Sequence, residues 1–237
     1  MADGLGGLCK GDMASSKAVQ TIQDFIIRSR RGDVTWPSPP CEGLTEEENR
    51  FLAAVQLANR EIFSAFQKDP ENFIGMGTTL TGMLVHKDEA IMAHVGDSRA
   101  YQIRDGYISQ LTQDHTVVME EVRKGRMSIE EARYHPQKHV LTQALGVAED
   151  VSVDIFTCPL RDGDIYLLCS DGLTDLLTDE EILGLISSKE DAPLPLLARD
   201  LVKAANERGG LDNITVVLVR FHAQSGRKPV SEKRSLP

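Results

Sequence analysis

The chain has 237 residues, 41% of them hydrophobic, which is enough for one large domain with a sizeable core or for two small ones. Its formal net charge of −10 argues against nucleic acid or an anionic membrane surface as a partner. No apolar run reaches the ~18 residues of a membrane span, and the polar, glycine-rich start is not expected to be a secretory signal. The cysteines Cys9, Cys41, Cys158 and Cys169 show no C-x-x-C spacing. Neither structural zinc nor a disulfide framework is expected, and the chain suits a reducing cytoplasm.

Residues 1–11 carry Gly4, Gly6, Gly7 and Gly11. Gly6 and Gly11 have the spacing of a phosphate-binding P-loop, but Asp12-Met13 stands where Lys-Ser/Thr is required, so that reading fails. A helix is predicted from Asp12 to Arg30, with Ala14, Ala18, Ile22, Phe25 and Ile26 on one face. Prolines and glycines make 31–44 a loop. Thr45 and Glu48 form a capping box that opens a second helix to Lys68, with Phe51, Val55, Ala58, Ile62 and Phe66 inward.

The middle of the chain reads as an antiparallel meander. Strands are predicted at Thr78–His86 and Ala90–Val95, then at Ala100–Arg104 and Tyr107–Leu111 around the hairpin signal Asp105-Gly106. Residues 112–146 break the pattern with short helical pieces, Ser128 and Glu131 capping one of them, and are read as an excursion over one end of the sheet. Strands resume at Val151–Thr157 and Ile165–Cys169, where Cys169 is a small buried hydrophobe. Thr178 and Glu181 cap a helix to Ser188. Another starts at Pro193 or Pro195, with Leu197, Leu201, Val202 and Ala205 inward, and stops at Gly209-Gly210. A last strand is predicted at Asn213–Phe221, followed by a polar, disordered tail at 222–237. Helices, strands, helices, strand in that order imply antiparallel sheets covered by helices, an α+β fold.

The apolar run Ile165–Cys169 stops at Ser170-Asp171-Gly172, so Asp171 sits where a stiff strand ends in a tight turn. Asp3 in Met1-Ala-Asp3-Gly4 and Asp212 before the last strand repeat the arrangement. Three carboxylates at strand ends suit hard divalent cations, which prefer oxygen ligands. Taken singly, each is also ordinary turn chemistry. A cysteine-nucleophile phosphatase would need C-x₅-R, but the sixth residues after the cysteines are Ser15, Glu47, Asp164 and Asp175.

Seven motifs then occur in order: Ala2-Asp3-Gly4-Leu5-Gly6-Gly7, Gly75-Met76-Gly77-Thr78-Thr79-Leu80, Val95-Gly96-Asp97-Ser98-Arg99-Ala100-Tyr101, Leu111-Thr112-Gln113-Asp114-His115, Val140-Leu141-Thr142-Gln143-Ala144-Leu145-Gly146, Ser170-Asp171-Gly172-Leu173 and Asp212-Asn213-Ile214-Thr215. Together they resemble the bacterial branch of the metal-dependent, protein phosphatase 2C-type serine/threonine phosphatases. The resemblance covers residues 2–221. It implies a layered α-β-β-α architecture, two packed antiparallel sheets flanked by helix pairs, in one domain over 1–221. It also implies hydrolysis of phosphoserine and phosphothreonine in proteins at a site for two Mn²⁺ or Mg²⁺ ions, with a third, weaker ion. In that comparison Asp3 bridges two ions, Gly4 gives a backbone carbonyl, and Asp171 and Asp212 complete the second ion's site. Asp97 joins Asp171 in the third. Residues 112–146 correspond to the family's mobile flap, near the protein substrate. The implied partners are phosphoproteins and a cognate serine/threonine kinase, with the chain itself a monomer.

The chain departs from the family pattern in two places. Leu8 stands where bacterial members usually have His. The family's Arg-x-x-Asn-Glu-Asp motif, with a phosphate-binding Arg and an acidic ligand, has no counterpart, and Met1 stands where the family has Val. The expectation is therefore an N-terminally incomplete reading of a longer protein, with Asp3 beside a frayed chain end and with low solubility and activity. The alternative function is a pseudophosphatase that binds phosphoproteins without hydrolysing them. His94, Arg99 and Met76 are read as structural. His115 and His135, bordering the flap, are weighed for proton transfer to the leaving serine oxygen against plain packing roles.

Overall fold

The computed structural model describes residues 1–6, 10–68, 75–189 and 192–223. Its strands are β1 (Gly4–Leu5), β2 (Gly77–Thr78), β3 (Leu80–His86), β4 (Glu89–Val95), β5 (Arg99–Arg104), β6 (Tyr107–Gln110), β7 (Asp154–Pro159), β8 (Ile165–Cys169) and β9 (Val216–Arg220). The helices are α1 (Lys10–Arg30), α2 (Glu46–Lys68), α3 (Val117–Arg123), α4 (Ile129–Tyr134), α5 (Asp171–Thr174), α6 (Asp179–Ser187) and α7 (Leu194–Glu207). One antiparallel sheet has the order β3-β4-β7 and a second the order β6-β5-β8-β9, with β1 and β2 forming a separate pair.

Strand periodicity explains the layering. Alternate side chains of a strand point to opposite faces, so a strand apolar throughout must be covered on both. Ile91, Ala93 and Val95 of β4 pack with Ala14, Ala18, Phe25, Val55 and Ile62 of α1 and α2. Its other face, Ala90 and Met92, meets Ala100 of β5 and Tyr166 and Leu168 of β8 in the seam between the sheets. Ile165, Leu167 and Cys169 of β8 pack outward against Ile182, Ile186, Leu197 and Leu201 of α6 and α7. The result is the expected α-β-β-α sandwich.

The caps form where the sequence signals them. Glu48 N–H donates to Thr45 Oγ1 at 3.3 Å and Thr45 N–H returns a bond to Glu48 at 2.8 Å. Ser128–Glu131 and Thr178–Glu181 are capping boxes too. Residues 112–146 do leave the sheet. They are tied at the base by the Thr116–Leu141 bridge and by Thr142 N–H to His115 O at 2.8 Å.

Several boundaries move for identifiable reasons. The last strand begins at Val216 rather than Asn213, because the Ser170 hydroxyl takes the place of ladder partners. It donates to Asn213 O at 3.1 Å and accepts from Thr215 N–H at 3.0 Å. The strand expected at Val151–Thr157 is displaced to Asp154–Pro159, and Val151 and Val153 instead pack onto the α1–α2 core. The strand expected from Thr78 is interrupted at Thr79, whose N–H and hydroxyl both serve Asp3. The tight turn after β8 is the short helix α5. Gly7, Leu8, Cys9, the Phe66 side chain and residues 224–237 of the tail lie outside the described residues.

Candidate metal centre

Asp3 is fixed by its backbone. Its N–H donates to Thr79 Oγ1 at 3.0 Å, and its carbonyl accepts from Thr79 N–H and from Thr78 Oγ1, both at 2.8 Å. The expected fraying beside Asp3 is not what the structure shows. The glycines next to it have a packing reason: a Cβ on Gly4 would lie 2.2 Å from the Gly11 carbonyl carbon, so β1 and the first turn of α1 meet backbone on backbone. Gly11 is explained by that close approach, and Gly6 by its positive φ of 100° and a Gly75 carbonyl oxygen 2.4 Å from where its Cβ would lie; phosphate binding is not needed to account for the P-loop-like spacing.

Asp171 opens α5, with only Ser170 between it and the end of β8. The Ser170 bonds that shorten β9 also pull the 212–215 segment against this turn. The approach is close enough that a Cβ on Gly172 would lie 2.4 Å from Asn213 O. Asp212 accepts a bond from Asn213 N–H at 2.7 Å and is exposed. Asp97 lies in the link between β4 and β5.

Separate segments thus bring Asp3, Asp97 and Asp212 into the field of Asp171. Burial, with Asp171 and Asp212 adding like charge, pushes the Asp3 carboxyl up to about 6. Burial, then Asp171, Asp114 and Asp3, pushes Asp97 up to about 7. Asp171 is raised by burial, then by Asp175 and Asp212, with His139 pulling the other way. Asp171 Oδ1 is buried without a hydrogen-bond partner. A buried, unpaired carboxylate oxygen among like charges is unfavourable until a proton or a cation joins it. The donors are all hard oxygens, the chemistry Mg²⁺ and Mn²⁺ select, so the residues present fit such ions.

The other expectations divide. His94 is fully buried, held by Thr81 Oγ1 at 3.1 Å and Gln113 O at 3.0 Å, and burial lowers its imidazole to about 4. His115 is a packing residue: its Nδ1 accepts from Gly96 N–H at 3.2 Å and its Nε2 faces Asp154 at 3.2 Å. His135 accepts from Gln137 N–H at 3.2 Å, a local turn bond. Arg99 is structural, pinned by Asp114 through Nε and Nη2 at 2.9 and 2.7 Å. Met76 is buried.

Two residues at the centre escaped the sequence reading. His139 Nδ1 lies 3.7 Å from Asp171 and its Nε2 3.4 Å from Asp175. Among the described residues, the His139, Asp171 and Asp175 ligand atoms all lie within 4.8 Å of one another. Asp175 was findable, since four residues after Asp171 on a helical turn places it on the same face. His139 carried no local signal, because only the folding back of 112–146 brings it there. A cavity of about 510 Å³ opens between α3–α4 and α5–α6, with Asp97, Asp171, Met119, Arg133 and His139 in its wall.

The family model for protein phosphatase 2C matches residues 1–209. The chain is 38% identical over 224 residues to the protein phosphatase PhpP of Streptococcus pneumoniae, covering 94% of this chain and 85% of the relative. The serine/threonine phosphatase PstP/Ppp of Mycobacterium tuberculosis superposes with a TM-score of 0.80 at 35% identity, over 94% of this chain and 87% of that one. A structure of the PstP catalytic domain in complex with two manganese ions superposes with a TM-score of 0.73 at 34% identity, over 92% and 84% of the two chains.

Proposed function

The chain belongs to the protein phosphatase 2C family, and on that premise we propose that it hydrolyses phosphoserine and phosphothreonine in cytoplasmic proteins at a binuclear Mn²⁺ or Mg²⁺ site. Asp3 would bridge the two ions, the Gly4 carbonyl would complete one of them, and Asp171 and Asp212 would complete the other. Asp97 and Asp171 would hold a third ion more weakly. The observation that carries this reading is the buried, unpartnered Oδ1 of Asp171 among three like charges from other elements.

Bound there, divalent ions acidify a water, supplying hydroxide near neutral pH, and screen the phosphate's negative charge. The protein's own task is positional. Ser170 clamps the Asp171 and Asp212 turns together, and the bonds from Thr78 and Thr79 fix Asp3, so the carboxylates are arranged before any ligand arrives. The cavity under 112–146 gives a phosphorylated peptide segment a place beside them. A serine/threonine kinase acting on the same substrates is the natural counterpart. The test is manganese titration of chelator-treated protein with a phosphopeptide. Hydrolysis should be strictly dependent on Mn²⁺ or Mg²⁺. Phosphopeptide binding with no hydrolysis at saturating metal would instead support the non-catalytic binding module.

A further inference from the structure

The excursion is held to the body in two different ways. Its base is backbone: the Thr116–Leu141 and Thr78–Leu145 bridges, and His115 N–H to Gly96 O at 2.7 Å. Beyond the base, α3 and α4 form a canopy over the cavity. Among the described residues, the hydrogen bonds and ion pairs that tie 117–139 back to the body converge on one place. Lys138 Nζ meets Asp175 Oδ1 at 3.0 Å, and His139 reaches the other Asp175 oxygen at 3.4 Å and Asp171 at 3.7 Å. The canopy also carries apolar side chains that have no core to fill: Ile129 is 67% exposed and Tyr134 79%.

We infer that Lys138 and Asp175 are positioning residues: their ion pair straps the canopy to α5 and so sets the opening through which a peptide, but not a small phosphoaryl compound, must be admitted. Asp175 suits this because it ends the helical turn that Asp171 begins, which couples the strap to the metal-binding carboxylates through rigid backbone. The pair is about one-third exposed on both sides. A pair of that kind shifts an opening equilibrium by roughly three- to fivefold.

The peptide-selection part rests on the phosphatase reading; the strap itself does not, and the test separates them. Backbone hydrogen exchange over 117–134 is measured in the full chain. Lys138→Met and Asp175→Asn should each accelerate it by roughly three- to fivefold. The double variant should exchange no faster than Asp175→Asn, and Lys138→Arg should keep the wild-type rate. Lys138→Met should also raise KM for a phosphopeptide by a similar factor, leaving kcat and the small substrate's kinetics unchanged. Unchanged exchange in Lys138→Met, or effects that multiply in the double variant, would overturn the strap. Equal KM changes for both substrates would overturn its role in peptide selection. Protein inactive on both substrates would defeat the phosphatase reading while the exchange rates still decided the strap.

Discussion

The strand β8 has an aspartate at each end, and the two could hardly differ more. Asp164, just before it, has a side chain only 1% exposed. Arg104 Nε donates to it at 2.7 Å, Arg161 N–H at 2.8 Å, and Arg104 Nη2 makes a second bond. Burial alone would push its carboxyl up, but these bonds more than offset that and hold it below the ordinary range. Asp171, just after the strand, is also largely buried, but its neighbours are Asp175 and Asp212 and its Oδ1 has no partner. The residue type and the strand are alike. One end is a closed structural joint and the other is an open electrostatic site. Stability is concentrated at the first, while the second keeps an unfavourable arrangement that a cation would relieve.

The sharpest way to break the comparison is to neutralise both ends in turn. Asp171→Asn should lower manganese-dependent kcat/KM by roughly 100-fold or more, the scale of losing metal-borne charge stabilisation. Its unfolding midpoint in chelator should stay level or rise. A fall in stability matching that of the Asp164 end would erase the distinction. Next in size, Arg104→Met strands the Asp164 carboxylate and should cost about 3 kcal/mol in denaturant unfolding, with activity per folded molecule retained. That figure is at the low end of its range because the Arg104 side chain is 19% exposed and water can reach the gap.

The smallest effect is a pair of pH limbs with opposite sign. Asp164 has a depressed folded-state pKa, so its contribution is complete above the ordinary carboxylate pKa of about 3.9 and is lost as pH falls through the folded value below it. Asp3 and Asp97 titrate at about 6 and about 7 in the folded state. In chelator, lowering the pH from 8 to 5 loads protons onto Asp3 and Asp97 in the folded form; buried His94, which gains its proton only on unfolding, offsets part of this, and the net should raise the melting temperature by roughly 5 °C. Saturating Mn²⁺ should abolish that rise. A chelated protein whose melting temperature falls monotonically from pH 8 to 5 would contradict the raised values.

Histidines make the same contrast in miniature. His94 and His115 lie with ring centroids 4.9 Å apart, tilted by 40°, and are consumed by backbone and side-chain bonds within the fold. His139, exposed on the excursion, reaches the carboxylate centre. Position beside the flap brought His115 and His135 under consideration; folding brings His139 to the carboxylates instead.

What the sequence determined by itself was everything encoded within a few residues. The three capping boxes formed because a hydroxyl and a carboxylate three apart always reach each other's backbone at a helix start. The strand Ile165–Cys169 matched its prediction residue for residue because an unbroken apolar run can be buried only where it is covered on both faces. Asp3, Asp97, Asp171 and Asp212 were named from motifs, and the fold brings them into one field. Tertiary structure alone decided which aspartates were satisfied. Arg104 lies 60 residues from Asp164 and closes it. Asp212 lies far along the chain from Asp171 and adds like charge to it, while the Asp171 Oδ1 is left without a hydrogen-bond partner. It also decided where β9 starts, through the Ser170 hydroxyl, and which flap residue, His139, reaches Asp171. A carboxylate's state depends on the charges and donors packed around it, and those are set by long-range folding rather than by the residues beside it in the chain.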